Sequence, residues 1–184
     1  MPKDSTSSLF DLFAALLEYP SAETTEQARY CLEHLKPTHH ETAEALEKFV
    51  RRLDQLSIEK MRELYTVTFD MQPLCYPYVG YHLFGESYKR GAFMAQLNEA
   101  YHTFGYSAGQ ELPDHLAVIL RFIGLDVTNR SGEFCQTLLN SGLMPALEKM
   151  LKVFSEDSEN PYAGLLFALQ LFLAPTPEKE LTHA

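Results

Sequence analysis

Apolar residues recur along this chain three and four positions apart, the period of α-helices that bury one face. Leu9, Phe10, Phe13, Leu16 and Leu17 form the first such stripe, with Ser7 or Ser8 placed to cap it and Tyr19-Pro20 to end it. A second helix is predicted from Ala22 to Leu35, stopped by Pro37. Ala43, Leu46, Phe49, Val50 and Leu53 give a third. Ser57 is a cap for a fourth, which carries Ile58, Met61, Leu64, Tyr65 and Thr68 and closes at Phe69. From Asp70 to Gly85 the pattern breaks: Pro73, Pro77, Gly80 and Gly85 alternate with Tyr76, Tyr78, Tyr81 and Phe84, which predicts an aromatic-rich irregular segment.

Helical spacing resumes near Glu86 and runs through Phe93, Met94, Leu97, Ala100, Tyr101 and Phe104 to a cap at Gly105. After a loop over Tyr106 to Glu111, Pro113 and Asp114 suit the first turn of a helix bearing Leu116, Ile119, Leu120 and Ile123. Later helices are predicted over Gly132–Asn140, Met144–Phe154 and Pro161–Leu173. No alternating strand pattern, internal repeat or linker is visible. The expected fold is all-α, a compact single-domain bundle of about eight or nine helices over residues 1–184, with 174–184 as a frayed tail.

Composition narrows the function more than the fold. Twenty-five acidic residues against fifteen basic ones give a net charge of -10, with no basic run, which argues against a nucleic-acid surface and favours cationic partners. Cys31, Cys75 and Cys135 are distant and odd in number, as expected of a reduced cytoplasmic protein. No secretory signal and no membrane-length apolar run is seen.

Catalytic and metal motifs are weak. Gly80 to Ser87 has the glycine spacing of a phosphate-binding loop, but Glu86 stands where the lysine is needed and would repel phosphate. His39 and His40 are adjacent, so on a helix they diverge by about 100°. No metal or other cofactor is expected. Asp114 and His115 are neighbours that do not face each other on a helix; they fit a helix start, or the polar edge of a groove whose binding His115 would make pH-sensitive near neutrality.

Four segments carry a resemblance: Leu16-Leu17-Glu18-Tyr19-Pro20-Ser21, Leu64-Tyr65-Thr66-Val67-Thr68-Phe69-Asp70, Tyr81 to Gly91, and Glu111-Leu112-Pro113-Asp114-His115-Leu116. In this order and spacing they resemble the NarJ/TorD family of molybdoenzyme maturation chaperones, closest to the nitrate reductase delta-subunit branch. The resemblance implies a cytoplasmic, non-catalytic chaperone. It would bind the N-terminal or twin-arginine-like segment of an apo-molybdoenzyme catalytic subunit, aid molybdenum-cofactor insertion and complex assembly, and exist as a monomer or weak homodimer. The residues themselves suggest how: an apolar groove lined by Tyr65, Phe69, Tyr81, Phe84, Tyr101 and Leu116, with Asp70, Glu86, Glu111, Asp114 and His115 at its polar edge. The competing readings are a general helical adaptor and an enzyme or nucleotide-dependent factor built on Gly80 to Ser87 and Asp114-His115.

Overall fold

The computed structural model describes residues 4–175. Among these the chain is all-α, with eleven α-helical segments and two π-helical turns. In order they are α1 (Ser5–Leu16), α2 (Thr24–Leu35), α3 (His40–Leu53), α4 (Ile58–Tyr65), a π turn (Thr66–Asp70), α5 (Val79–Phe84), α6 (Tyr88–Thr103), α7 (Leu116–Ile123), α8 (Val127–Ser131), α9 (Glu133–Thr137), a second π turn (Leu138–Leu143), α10 (Met144–Leu151) and α11 (Pro161–Leu173). The tail expected to fray lies, from residue 176 on, outside the described residues.

Two helices form the centre. Helix α11 is apolar on nearly all sides, burying Tyr162, Leu165, Leu166, Ala168, Leu169, Phe172 and Leu173, so it must be surrounded. Helix α3 covers it with the stripe Ala43, Leu46, Phe49, Val50 and Leu53. Helix α7, Leu-Ala-Val-Ile-Leu-Arg-Phe-Ile, is buried at every position except Arg121 and lies along α1. Phe10 and Phe13 of α1 join the two centres by packing their rings on Phe172, at 5.1 and 5.2 Å between centroids.

Several helix boundaries differ from the sequence pattern, each for a local reason. Asp4, not Ser7 or Ser8, caps α1, accepting from the Ser7 N–H at 2.6 Å while Ser7 itself is buried. The fourth helix does run to Phe69 and Asp70, but its last turn widens to π geometry. There the Thr66 and Thr68 hydroxyls bond back to the carbonyls of Arg62 and Leu64, at 2.9 and 2.7 Å, competing with the regular helix ladder. The helix expected across Gly132 to Asn140 starts just after its cap, Gly132, and runs without a break through the second π turn into α10, where two separate helices were expected.

The largest departures lie at two segments that face each other. The stretch predicted to be irregular contains α5, and α7 begins after Pro113 and Asp114 rather than at them. One arrangement causes both. Residues 77–79 and 114–116 run antiparallel, with Val79 N–H donating to the Asp114 carbonyl at 2.8 Å and Leu116 N–H to the Pro77 carbonyl at 2.9 Å. These bonds hold His115 extended (φ -62°, ψ 133°), so it becomes the N-cap and its ring Nδ1 accepts from Ala117 N–H at 3.1 Å. Gly80 permits the approach, because a Cβ there would lie 2.6 Å from Asp114 Oδ2.

Candidate functional site: a polar-rimmed cleft on helix α7

The start of α7 forms one wall of a cleft of about 560 Å³. The α1–α2 connection supplies Glu18 and Tyr19, and α4 with its π turn supplies Tyr65, Phe69 and Asp70. The 77–79 segment supplies Pro77 and Tyr78, and the loop after α6 supplies Tyr106 to Gly109 and Glu111. Helix α7 and its cap add His115, Ala117, Val118 and Arg121. Spacing along α7 is the reason: His115, Val118 and Arg121 fall three apart and share a face.

Aromatic rings build the walls. Tyr65 is buried, packs edge-on against Tyr19 at 5.6 Å and tilts on Phe69 at 5.2 Å, and its hydroxyl donates to the Leu17 carbonyl at 3.1 Å. Tyr19 is itself exposed, with the Arg62 guanidinium over its ring. Opposite, Tyr106 donates to the Val118 carbonyl at 2.8 Å, and its burial pushes the phenol up to about 12.

Three carboxylates surround Tyr65: Glu111, Glu18 and Asp70. Burial first, and then their combined field, drives its hydroxyl well above the ordinary tyrosine range. Glu18 holds Arg121 in a two-point ion pair, Nη1 on Oε1 and Nη2 on Oε2, the latter at 3.0 Å. Glu111 accepts from Leu112 N–H at 2.9 Å and, at 3.4 Å, from the Tyr78 hydroxyl. No cation among the described residues is ion-paired with Glu111 or Asp70.

His115 lies at the cleft floor, 5% exposed. Its Nδ1 accepts from Ala117, which places the proton of the neutral ring on Nε2. Among the described residues Nε2 hydrogen-bonds to no partner, and no side-chain nitrogen or oxygen is both fully buried and unsatisfied, so Nε2 keeps some contact with solvent. Burial lowers the His115 pKa, against the raising fields of Glu111, Glu18 and Asp114 and with the lowering field of Arg121. The ring accordingly takes up its proton at a lower pH than an ordinary histidine does.

A pH dependence of stability follows. His115, His82 and His39 are all held below the ordinary histidine value by burial. A base depressed in the folded state takes up its proton more readily when unfolded. Stability is therefore undiminished above about pH 6.5 and falls as pH drops below it toward the folded-state pKa values. Urea unfolding between pH 7.5 and about 5 should show a falling midpoint, and His115→Asn, which keeps a cap acceptor, should flatten that fall. A midpoint independent of pH in that range would contradict the burial of these rings in neutral form.

The structure gathers Tyr65, Phe69, Asp70, Glu111 and His115 from the sequence-derived groove into this cleft. It places the others elsewhere. Asp114 is not a rim carboxylate: it is fully buried beneath the 111–116 segment and bonded to Arg90 Nε and Nη2, at 2.8 and 3.3 Å. Tyr101 and Leu116 are core, both 1% exposed, and Tyr101 donates to the Pro113 carbonyl at 2.7 Å. Tyr81 stacks on Tyr76 at 4.0 Å, and Phe84 lines a separate groove with Phe93 and Phe134. Glu86 is exposed outside the cleft, on the α5–α6 link. Glu18, Tyr19, Tyr78, Tyr106, Val118 and Arg121 were missing from the sequence-derived set; the first two were visible only as part of the Leu16–Ser21 resemblance.

The glycine-spaced segment does not form a phosphate cradle. Gly80 is buried against the Asp114 carboxylate, and the first amide of α5, Val79 N–H, is spent on the Asp114 carbonyl. No group of three or more His, Cys, Asp or Glu among the described residues could hold a metal ion, and no described helix is long and apolar enough to cross a membrane.

The fold is shared with a crystal structure of a protein from Archaeoglobus fulgidus described as a candidate redox enzyme maturation protein. The two match with a TM-score of 0.61 and 23% sequence identity over 94% of this chain and 96% of that one. No curated protein sequence matches the chain. A family model described as the nitrate reductase delta subunit matches residues 32–168. The chain belongs to that family, the NarJ branch of the molybdoenzyme maturation chaperones.

Proposed function

We propose that this protein is a cytoplasmic, system-specific chaperone that binds the N-terminal segment of an apo-molybdoenzyme catalytic subunit, of the nitrate reductase kind, in the cleft on α7. By holding that segment it keeps the client open for molybdenum-cofactor insertion and assembly with its partner subunits. It contributes no catalytic step of its own. Family membership supports the coarse part of this reading, since the family consists of maturation chaperones rather than enzymes.

The cleft supports the finer part. One observation carries it: Asp70 and Glu111, ion-paired to no cation among the described residues, line one cleft with the exposed ring of Tyr19 and the half-buried rings of Tyr78 and Tyr106. A peptide that buries apolar side chains on the rings gains most of its affinity there, while a lysine or arginine meets the carboxylates. The His115 Nε2–H adds a donor for a main-chain carbonyl.

Isothermal titration with a synthetic peptide of the client's N-terminal segment tests the reading. Wild type should bind saturably. Asp70→Asn combined with Glu111→Gln should weaken binding about 5- to 20-fold at low salt, and less at high salt, because rim charges act through a screened field. Both side chains are exposed, so the melting temperature should hold to within about 2 °C. Equal affinity in the variant would remove the two carboxylates from the site.

A further inference from the structure

Of the three carboxylates around Tyr65, one already has a guanidinium seated on it from within the chain. Arg121 reaches from the exposed side of α7 to Glu18 on the α1–α2 connection, and both residues line the cleft. The contact is bidentate, the arrangement an arginine from a bound peptide would make with a free carboxylate. Among the described residues Asp70 and Glu111 have no such occupant. His115, nine-tenths buried, lines the same cleft, and its Nε2 has no hydrogen-bond partner among the described residues, which sets this cleft apart from the acidic surface at large.

We propose that Arg121 sets the charge specificity of the cleft. By filling the Glu18 position from inside, it leaves two acceptors, Asp70 and Glu111, for cationic side chains of the bound segment. A third cation finds no acceptor and meets the Arg121 guanidinium. This rests on the peptide-binding reading above and adds to it which peptides the cleft prefers.

Magnitudes favour a selective role over a structural one. The side chains of Arg121 and Glu18 are 33% and 48% exposed. Ion pairs that open to solvent contribute little to stability, because each partner is nearly as well solvated apart. Exchanging Arg121 for a peptide arginine would replace one such pair with another and gain almost nothing. Loss of Arg121 would instead leave Glu18 free and the cleft one charge more negative.

The test compares two synthetic forms of the N-terminal peptide of a nitrate reductase catalytic subunit, one with two arginines and one with a third arginine added, titrated into the intact protein at low salt. Wild type should bind the two within about twofold of each other. Arg121→Gln should bind the three-arginine form about tenfold tighter than the two-arginine form, the scale of one interfacial charge pair. That gain should vanish in the Glu18→Gln, Arg121→Gln double variant.

Melting curves and circular dichroism check that each variant is folded; because the pair is solvent-exposed, all should be. A folded Arg121→Gln that weakens both peptides equally would show that Arg121 only braces α7 and would overturn the proposal. A preference for the third arginine already present in wild type would do the same. No saturable binding of either peptide to wild type would overturn the peptide-binding reading itself, and this inference with it.

Discussion

Asp114→Ala is expected to cost about 2–4 kcal/mol of unfolding free energy, the scale of breaking one side of a buried ion pair, reduced because Arg90 retains some solvent. The carboxylate is fully buried and accepts from two guanidinium nitrogens, while the Arg90 side chain is 19% exposed. Removing it strands a charge beneath the 111–116 segment, against the Tyr78 ring that Arg90 also faces at 5.2 Å. Urea unfolding measures this directly. The same loss loosens the wall that carries Glu111 and His115, so peptide affinity should fall in step with stability. Asp70→Asn combined with Glu111→Gln, in contrast, should lower affinity with stability preserved. A change below about 0.5 kcal/mol, the range of ordinary surface substitutions, would mean that the Arg90–Asp114 pair does not hold this wall.

Phe122→Ala is expected to be more damaging, about 3–5 kcal/mol for a large aromatic side chain removed from a packed core. Phe122 is fully buried on α7. Its ring meets Tyr101 at 4.8 Å, Tyr106 and Phe104 at 5.7 Å, and Phe134 at 6.2 Å. It therefore ties α6, α7, α9 and the 106–111 loop together. The hydrogen bond from Tyr106 to Val118 remains in the variant, but the ring beneath Tyr106 is gone. Near-ultraviolet circular dichroism should lose tyrosine signal at temperatures where the far-ultraviolet helical signal persists. Simultaneous loss of both signals, with a cost under about 1 kcal/mol, would place Phe122 outside the cluster that shapes the cleft wall.

The sequence was most informative where one helix face is buried against one neighbour. The stripes of α3 and α4 and the apolar run of α11 needed only their own periodicity to be seen. It was least informative where two segments distant in the chain exchange backbone hydrogen bonds. Residues 77–79 and 114–116 lie over thirty positions apart, and their pairing moved the start of α7, created the His115 cap and gave room to α5. Local propensity carries no trace of that pairing.

The candidate site divides the same way. Tyr65, Phe69 and Asp70 follow one another on a single turn, and Glu111 and His115 frame one segment, so both groups were legible as motifs. Asp114 was misplaced because an acidic residue is exposed by default; only its distant partner Arg90 accounts for its burial. Tyr81 and Phe84 were grouped with the cleft by nearness in sequence, whereas Tyr81 packs on Tyr76 and α5 turns Phe84 toward Phe93 of α6 and the Phe134 side. Arg121 is an unremarkable surface arginine until α7 is given its true start, after which it falls on the face shared with His115.

The central claim is that a client segment lies on α7 between Tyr65 and Tyr106. Paramagnetic broadening from a client N-terminal peptide bearing a nitroxide label measures its position most directly. The account predicts that amide signals of Tyr19, Tyr65, Phe69, Tyr106 and Val118 broaden together as the labelled peptide saturates. Broadening centred instead on Phe84, Phe93 and Phe134, with the α7 face untouched, would contradict it.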